Sequence, residues 1–338
     1  PLGVAGVVDH DRPALAARRN IQIVGSSTVY PFATAVAERF IRANPGIPAP
    51  VIESTGTGGG MKLFCSGIGE RTPDIANASR RMKASEASAC MKNGVNKVTE
   101  IQVGIDGIVL AGSAQSPALQ VTTKDIYLAI AANPYGKPNK AKTWRDINPK
   151  LPNVPIRVYG PPPTSGTRDA VTELLMTPGC EANASIKALK KTDEAKHKAI
   201  CTAVRQDGAY IEAGENDNLI VRKLESSPGT YGLFGYSFLE ENSRTLRGAT
   251  INGVAPSYDS ISTFKYPGAR PLYIYVKNAH VAAIPGIKQF VAEFAKESTW
   301  GRNGYLVRRG LIASPDPVRA ASAKAANTLA PVALASIR

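Results

Sequence analysis

Residues 21–41 read IQIVGSSTVYPFATAVAERFI, and this stretch decides the fold class. The β-branched run at residues 21–24 predicts a buried strand that ends at Gly25. From Tyr30 onward, apolar residues recur at helical spacing until Asn44-Pro45-Gly46 ends the predicted helix. A polar loop, SSTV at residues 26–29, joins the two elements. A strand, a loop and a helix in this order indicate α/β architecture.

The same arrangement recurs at two other places in the chain. STGTGGG at residues 54–60 follows the start of a second strand, and TSGT at residues 164–167 follows a strand at residues 156–159. Each loop opens a helix, where unpaired N–H groups and the helix dipole attract anions. Glycine permits close approach of the backbone, and Ser or Thr adds a hydroxyl. Three such loops predict a cage for a small oxyanion, with three ordinary N-caps as the alternative.

The position of the loops along the chain predicts an interlobe site. The first two loops lie within the first hundred residues, and the third lies beyond residue 160. The chain has 338 residues, which is long enough for two domains with their own cores. A ligand that touches all three loops would therefore lie between two lobes, where small-molecule sites are common.

The charge of the chain favours anionic partners in general. It is +14, from 41 basic and 27 acidic residues. A solvated basic surface is the simpler explanation of this excess. The basic residues are spread out, without the Lys/Arg runs and stacked aromatics typical of nucleic-acid binding, so we expect no nucleic-acid partner.

Four cysteines, at positions 65, 90, 180 and 201, allow three pairings. We expect the sequence-local pairs Cys65–Cys90 and Cys180–Cys201, which close loops of about 25 and 21 residues and contribute about 3 kcal/mol each. Disulfides indicate an oxidising compartment, and four reduced thiols are the alternative. No CxxC pair occurs and only three His are present, so no zinc site is expected.

Motifs for catalysis and cofactors are absent from the sequence. There is no GxxxxGK[ST] and no GxSxG, and no histidine has a Ser or Cys partner that the sequence can support. We therefore expect neither an enzyme nor a cofactor. No stretch approaches the ~18 apolar residues of a membrane span. Residues 1–20 lack a signal-peptide pattern and are expected to form an N-terminal arm of an already processed chain.

Six segments together resemble one protein family. They are GSSTVYPF (25–32), STGTGGGMKLFCSG (54–67), PDIANASRRMK (73–83), GIDGIVLA (104–111), GPPPTSGTRDA (160–170) and RPLYIYVKN (270–278). In this order they resemble the PstS-type periplasmic phosphate-binding proteins of bacterial ABC transporters, over roughly residues 20 to 315. The resemblance implies a periplasmic receptor, most simply a monomer, that delivers inorganic phosphate to a membrane permease. A receptor for sulfate or arsenate, or a phosphatase-like enzyme on the same scaffold, are the alternatives.

The fold that the resemblance implies is the type II periplasmic-binding-protein fold. It has two α/β lobes joined by two crossover strands, with the ligand in the cleft. GIDGIVLA would carry the chain out of lobe one, and RPLYIYVKN would bring it back. Lobe one would then comprise residues 21–108 and 272–338, and lobe two residues 109–271.

The resemblance also implies a set of phosphate-binding residues. They are Ser27, Thr28, Val29, Thr57, Gly58, Ser79, Arg80, Ser165, Gly166 and Thr167, with Asp106 and Arg168 as further candidates.

The chain departs from the family pattern at two places. Some members have an Asp at the position of Ser79, where it accepts the proton of hydrogen phosphate, and an Arg where this chain has prolines at 161–163. The arginine role would then fall to Arg80 or Arg168. The acceptor would be Asp106, Asp74 or a Ser hydroxyl.

Overall fold

A computed structural model describes residues 18–214 and 217–337. The expected N-terminal arm falls mostly on residues 1–17, which lie outside the described residues. The strands are β1 (Gln22–Gly25), β2 (Val51–Ser54), β3 (Ile75–Ala78), β4 (Val98–Ser113), β5 (Gln120–Val121), β6 (Val158–Gly160), β7 (Tyr210–Glu212), β8 (Tyr231–Gly235), β9 (Leu246–Gly248), β10 (Thr250–Ile251) and β11 (Ala269–Lys277).

The helices alternate with the strands from β1 to β4, as the sequence predicts, and further along the chain several helices follow one another. They are α1 (Tyr30–Ala43), α2 (Thr57–Phe64), α3 (Ala84–Lys92), α4 (Thr123–Ile130), α5 (Trp144–Ile147), α6 (Gly166–Ala170), α7 (Thr177–Glu181), α8 (Ala184–Thr192), α9 (Glu194–Thr202), α10 (Asp217–Ser226), α11 (Tyr236–Glu241), α12 (Tyr258–Ser262), α13 (Ile287–Phe294), α14 (Glu297–Trp300) and α15 (Asp316–Thr328). Val171–Met176 continues α6 as a π-helix, and Val307–Arg309 is a short 3-10 turn.

One sheet connects both halves of the described chain. Its strand order is β2-β1-β3-β11-β4-β8-β6-β7, with β9 also paired to β4. β1 runs parallel to β2 and β3, and β6 runs parallel to β7 and β8. Between these two groups, β4 and β11 pair antiparallel to each other along most of the length of β11. The two long strands therefore link two parallel α/β halves.

The buried apolar side chains form separate cores on the two sides of this link, with a smaller third cluster around α2 and α3 in the first half. One core draws on residues 21–103 and 272–329, and the other on residues 105–261 with Ile312. The change from one core to the other occurs within β4, where Val103 belongs to the first and Ile105 to the second. Each half therefore packs its own helices, and the sheet passes from one core to the other at the crossover strands.

The structure departs from the sequence-based expectation in the length of α2 and in one surface segment. The second glycine loop ends sooner than expected, because α2 begins at Thr57 rather than near Met61. The Lys- and Pro-rich composition of residues 137–155 is typical of a surface segment, yet Trp144 within it is fully buried. An indole ring of that size supplies apolar area to the core even when its neighbours are polar.

Both expected disulfides are confirmed. Cys65–Cys90 joins the end of α2 to α3, with Cα atoms 4.2 Å apart, and Cys180–Cys201 joins α7 to α9, with Cα atoms 5.4 Å apart. In the described part of the chain, no helix combines the length and apolar character needed to cross a membrane.

Candidate functional site

The predicted loops lie at the carboxyl ends of parallel strands. The first follows β1, the second follows β2, and the Ser79-Arg80 segment follows β3. The third follows β6 in the other half of the sheet. Because the carboxyl ends of parallel strands meet at one edge, the sheet brings the three loops of the first half together. The crossover strands then set the third loop opposite them.

The first loop is held by its own serine and reaches the opposite half of the protein. Ser26 Oγ accepts hydrogen bonds from the backbone N–H groups of Thr28 (3.2 Å) and Val29 (3.3 Å). The Thr28 hydroxyl donates to the carbonyl oxygen of Gly166 at 3.1 Å, and the Ser27 hydroxyl donates to Asp169 at 2.5 Å. The first and third loops are therefore in direct contact, while the N–H of Val29 has an acceptor within its own loop.

Gly166 permits this contact because it has no side chain. A Cβ atom at this position would lie 2.6 Å from the backbone nitrogen of Thr28 and 2.6 Å from the carbonyl carbon of Ser27. These distances are shorter than real Cβ contacts, so any other residue would push the loops apart. Ser165 caps the helix that follows, accepting from the N–H of Thr167 at 3.1 Å.

The second loop and the end of β3 form one hydroxyl pair. Thr57 Oγ1 and Ser79 Oγ lie 3.0 Å apart, and the Ser79 N–H donates to Thr57 Oγ1 at 3.0 Å. Gly58 is the second residue of α2, so its N–H has no acceptor within the helix. The structure therefore brings together Thr57, Gly58 and Ser79 as a group of donors at the start of α2.

Arg80 lies beside this group but is engaged by a carboxylate. Its guanidinium donates to both oxygens of Glu86, at 2.9 and 2.7 Å. This pair raises the pKa of Arg80, and the charge of Glu173 adds to the effect. The side chain therefore points toward Glu86 in the first turn of α3.

Arg168 is turned away from the first loop. Its guanidinium donates to the carbonyl oxygen of Pro161 at 2.8 Å and lies 4.7 Å from the centre of the Tyr210 ring. Arg168 Nη1 also lies 3.9 Å from Oε1 of Glu212. The structure thus places Arg168 against its own half of the protein, and not in contact with Ser27 or Thr28.

Arg270 is the buried arginine of the site, and the sequence reasoning missed it. It lies on β11, is 5% exposed, and donates from Nη2 to the Thr28 hydroxyl at 2.7 Å. Nε donates to Asp106 at 3.2 Å, and Nη1 donates to Glu173 at 2.5 Å. Arg270 could have been identified only from the register of the crossover strands, which places it directly opposite the candidate residue Asp106.

Two carboxyl groups with raised pKa values influence each other here, and one of them, Asp106, accepts from this arginine. Burial raises the pKa of Asp106, although the nearby Arg270 opposes the shift. Burial also raises the pKa of Asp217 to about 6, and the charge of Asp106 contributes. Asp217 accepts from the N–H of Gly235 at 3.0 Å. The Arg270 guanidinium therefore neighbours Asp106, a carboxyl group whose raised pKa makes it ionise less readily than an ordinary Asp.

Asp74 lies at the other end of β3 from Ser79 and is not part of this site. Its side chain is fully buried and accepts two hydrogen bonds from Arg18, at 2.7 and 2.9 Å. A third hydrogen bond, of 2.6 Å, joins it to Nδ1 of His280. Burial acts to raise the pKa of Asp74, but the bonds to His280 and Arg18 outweigh it and hold that pKa below its usual range. Asp74 immediately precedes β3 whereas Ser79 follows it, so the structure does not bring Asp74 together with the loops.

The arrangement offers hydroxyls, helix-start N–H groups and one buried guanidinium to a ligand. These are donors suited to a small oxyanion. Among residues 18–214 and 217–337, no group of three or more His, Cys, Asp or Glu side chains is placed to hold a metal ion. The chemistry on offer is therefore anion recognition.

Comparison with known proteins gives the family. A family model described as a PBP superfamily domain matches residues 12–298. The chain belongs to this superfamily. The expected type II periplasmic-binding-protein fold is confirmed by a match to a solved structure described as a possible phosphate binding protein from Planctomyces limnophilus. That match has a TM-score of 0.74 and 27% identity, and covers 93% of this chain and 99% of the other.

Two curated relatives of this PBP-superfamily member span most of the chain. Protein SphX from Synechococcus elongatus is 34% identical over 82% of this chain and 74% of its own length. A phosphate-binding protein PstS from Staphylococcus saprophyticus is 29% identical over 79% of this chain and 73% of its own length. The resemblance stated from the sequence motifs is thus confirmed at the level of the family.

Proposed function

We propose that this protein is a receptor that binds inorganic phosphate between its two halves and delivers it to an ABC transporter permease. The observation that carries the proposal is the buried Arg270, whose guanidinium meets the Thr28 hydroxyl where the first and third loops touch. The relatives named as phosphate-binding proteins support the choice of phosphate.

The geometry supports a ligand that favours the closed state. Thr28 belongs to one half of the protein and Gly166 to the other, and their contact already joins the two. An anion that accepts from donors on both sides binds the closed arrangement better than an open one and shifts the equilibrium toward it. Closure is then the signal that the permease reads, and no bond is made or broken.

The proposed binding set keeps the residues implied by the resemblance and adds Arg270. Hydroxyls come from Ser27, Thr28, Thr57, Ser79, Ser165 and Thr167, and N–H groups from Val29, Gly58 and Gly166. Ser27, Thr28 and Val29 would exchange their present bonds to Asp169, Gly166 and Ser26 for bonds to the anion. Arg270 and Arg80 supply positive charge; Arg270 donates directly to Glu173, and the charge of Glu173 also acts on Arg80. Arg168 acts on the third loop through the Pro161 carbonyl rather than on the anion.

We propose Asp106 as the acceptor for a phosphate proton. Its side chain is 13% exposed, and its carboxylate lies 3.2 Å from Arg270 Nε. Sulfate has no proton to donate at neutral pH, so it would leave the Asp106 oxygen that does not accept from Arg270 without a donor from the ligand. An unpaired buried polar group costs about 1–3 kcal/mol, which supplies selectivity against sulfate.

Further parts of the proposal rest on the resemblance and on the fold together. They are a periplasmic location, a monomeric receptor without catalytic activity, and lobes divided at residues 108/109 and 271/272. The two disulfides support an oxidising compartment. The change of core within β4 supports a division close to the proposed one.

Calorimetric titration of anion-stripped protein with phosphate, with and without excess sulfate, tests the proposal. We expect one-to-one binding that sulfate does not displace. Thr28→Val removes the hydroxyl that meets Arg270, and it should weaken binding at least tenfold, since hydrogen bonds to charged groups contribute about 1.5–3 kcal/mol. Thr34→Val is the matched control, because Thr34 lies on α1, the helix that follows the first loop, and its hydroxyl donates to the Tyr30 carbonyl.

The other outcomes point to different functions. Displacement of phosphate by sulfate would keep the anion site but assign a broader oxyanion ligand. If neither anion gave heat on titration, there would be no anion site, and the three loops would be ordinary helix N-caps. Release of phosphate from a chromogenic phosphomonoester would indicate an enzyme instead of a receptor.

A further inference from the structure

A basic pocket lies on the surface between α1 and the 3-10 turn at Val307–Arg309. It is about 260 Å³ in volume and is lined by Ala35, Glu38, Arg39, Arg42, Tyr305, Arg308 and Arg309, a group called the arginine pocket below. Arg39 and Arg42 are separated by one helical turn of α1, so they share a face. Arg308 and Arg309 come from the 3-10 turn on the other side.

The charges of the arginine pocket are poorly balanced within the protein. Glu38 is its single carboxylate, and it lies 3.7 Å from Arg309 with both side chains about half exposed. In the part of the chain that the structure describes, Arg42 and Arg308 make no ion pair. The four guanidinium groups repel one another, the one carboxylate offsets only part of that repulsion, and a bound anion would relieve more of it.

One of the arginines is held in place without an acidic partner. The guanidinium of Arg39 lies over the ring of Tyr305, 4.0 Å from its centre. Tyr305 is itself 8% exposed, so the ring is a fixed surface against which Arg39 stacks. Stacking leaves the edge of the guanidinium free to donate, which is how arginine recognises phosphate groups in pairs of hydrogen bonds.

The arginine pocket is separate from the candidate phosphate site. Val29 immediately precedes α1, and Arg39 follows it by ten residues, which is about 15 Å along a helix axis. The proposed phosphate-binding residues and those lining the arginine pocket have no member in common. The two positive regions can therefore be occupied independently.

We propose that the arginine pocket is a second anion site, for a small soluble anion that carries two or more linked phosphate groups. Two pairs of arginines, one on α1 and one on the 3-10 turn, offer bidentate donors to two neighbouring phosphate groups. A single inorganic phosphate engages one pair and leaves the other unsatisfied. The volume suits a short condensed phosphate and is small for a polymer segment with bulky side chains.

The test is calorimetric titration with tripolyphosphate of protein already saturated with inorganic phosphate. We expect one-to-one binding, weakened at least tenfold in R42Q/R308Q. The matched control is R222Q/R244Q, which removes the same number of exposed positive charges from elsewhere on the surface. Inorganic phosphate should bind R42Q/R308Q as it binds the unaltered protein, which separates this site from the proposed receptor function.

Three results would overturn the assignment. Equal weakening in both double variants would mean attraction to net charge alone, and absence of heat would mean no site. Sedimentation with phosphatidylcholine vesicles, with and without phosphatidic acid, distinguishes a soluble anion from a lipid headgroup, and we expect binding to neither. Binding to phosphatidic acid that R42Q/R308Q abolishes would transfer the site to a membrane lipid.

Discussion

Replacing Glu173 by Gln is expected to strengthen phosphate binding. Glu173 accepts from Nη1 of Arg270 at 2.5 Å, so its carboxylate occupies a donor that the proposed ligand needs. The side chain of Glu173 is 61% exposed, whereas that of Arg270 is 6% exposed. The substitution therefore removes a competing anion without opening a cavity in the core.

The size of the effect follows from this exposure. Ion pairs with a solvated partner contribute about 0.2–1 kcal/mol, and the burial of Arg270 favours the upper end. Removing about 1 kcal/mol of competition lowers the phosphate dissociation constant about fivefold. Repulsion between Glu173 and a bound phosphate acts in the same direction, and both effects should shrink as salt concentration rises.

Calorimetric titration of the two proteins with phosphate measures this change. Glu297→Gln is the matched control, because Glu297 is 66% exposed and bonds at 2.8 Å to Arg319, which is 11% exposed, outside the candidate site. The control should leave the dissociation constant unaltered. Weaker binding by Glu173→Gln would refute the reasoning, since it would mean that Glu173 holds Arg270 in position for the ligand.

Three other predictions concern closure, pH and the disulfides. Gly166→Ala places a Cβ atom 2.6 Å from the Thr28 nitrogen, so we expect at least tenfold weaker phosphate binding and a more open particle by small-angle X-ray scattering. Burial raises the pKa of Asp217 from 3.8 to about 6, so the native state binds the extra proton and loses stability as pH rises through that window. Asp217→Asn, measured by chemical denaturation, should therefore raise the free energy of unfolding by up to about 3 kcal/mol near neutral pH, with a smaller gain in acid; an equal gain at both would contradict this. Cys180→Ala/Cys201→Ala should lower the free energy of unfolding by about 2–4 kcal/mol, and an unchanged denaturation midpoint would show that the link between α7 and α9 is dispensable.

The sequence was sufficient wherever the deciding interactions are local. The run at residues 21–24 and the helical spacing after Tyr30 correctly predicted β1 and α1. The cysteines form disulfides with their neighbours in sequence, at separations of 25 and 21 residues, because closing a short loop costs little entropy. The order of the glycine loops after successive strands was enough to indicate an α/β protein with its functional loops at the ends of strands.

The candidate site depended on contacts that no local pattern encodes. Arg270 and Thr28 are 242 positions apart, and they meet because β11 pairs with β4 in a register that places Arg270 opposite Asp106. The same reasoning from motifs alone had offered Arg80 and Arg168, which the structure engages with Glu86 and Pro161. Sequence spacing determines which element carries a side chain. Strand register and the approach of the two halves determine which side chains share a site, because they fix distances between residues that are remote along the chain.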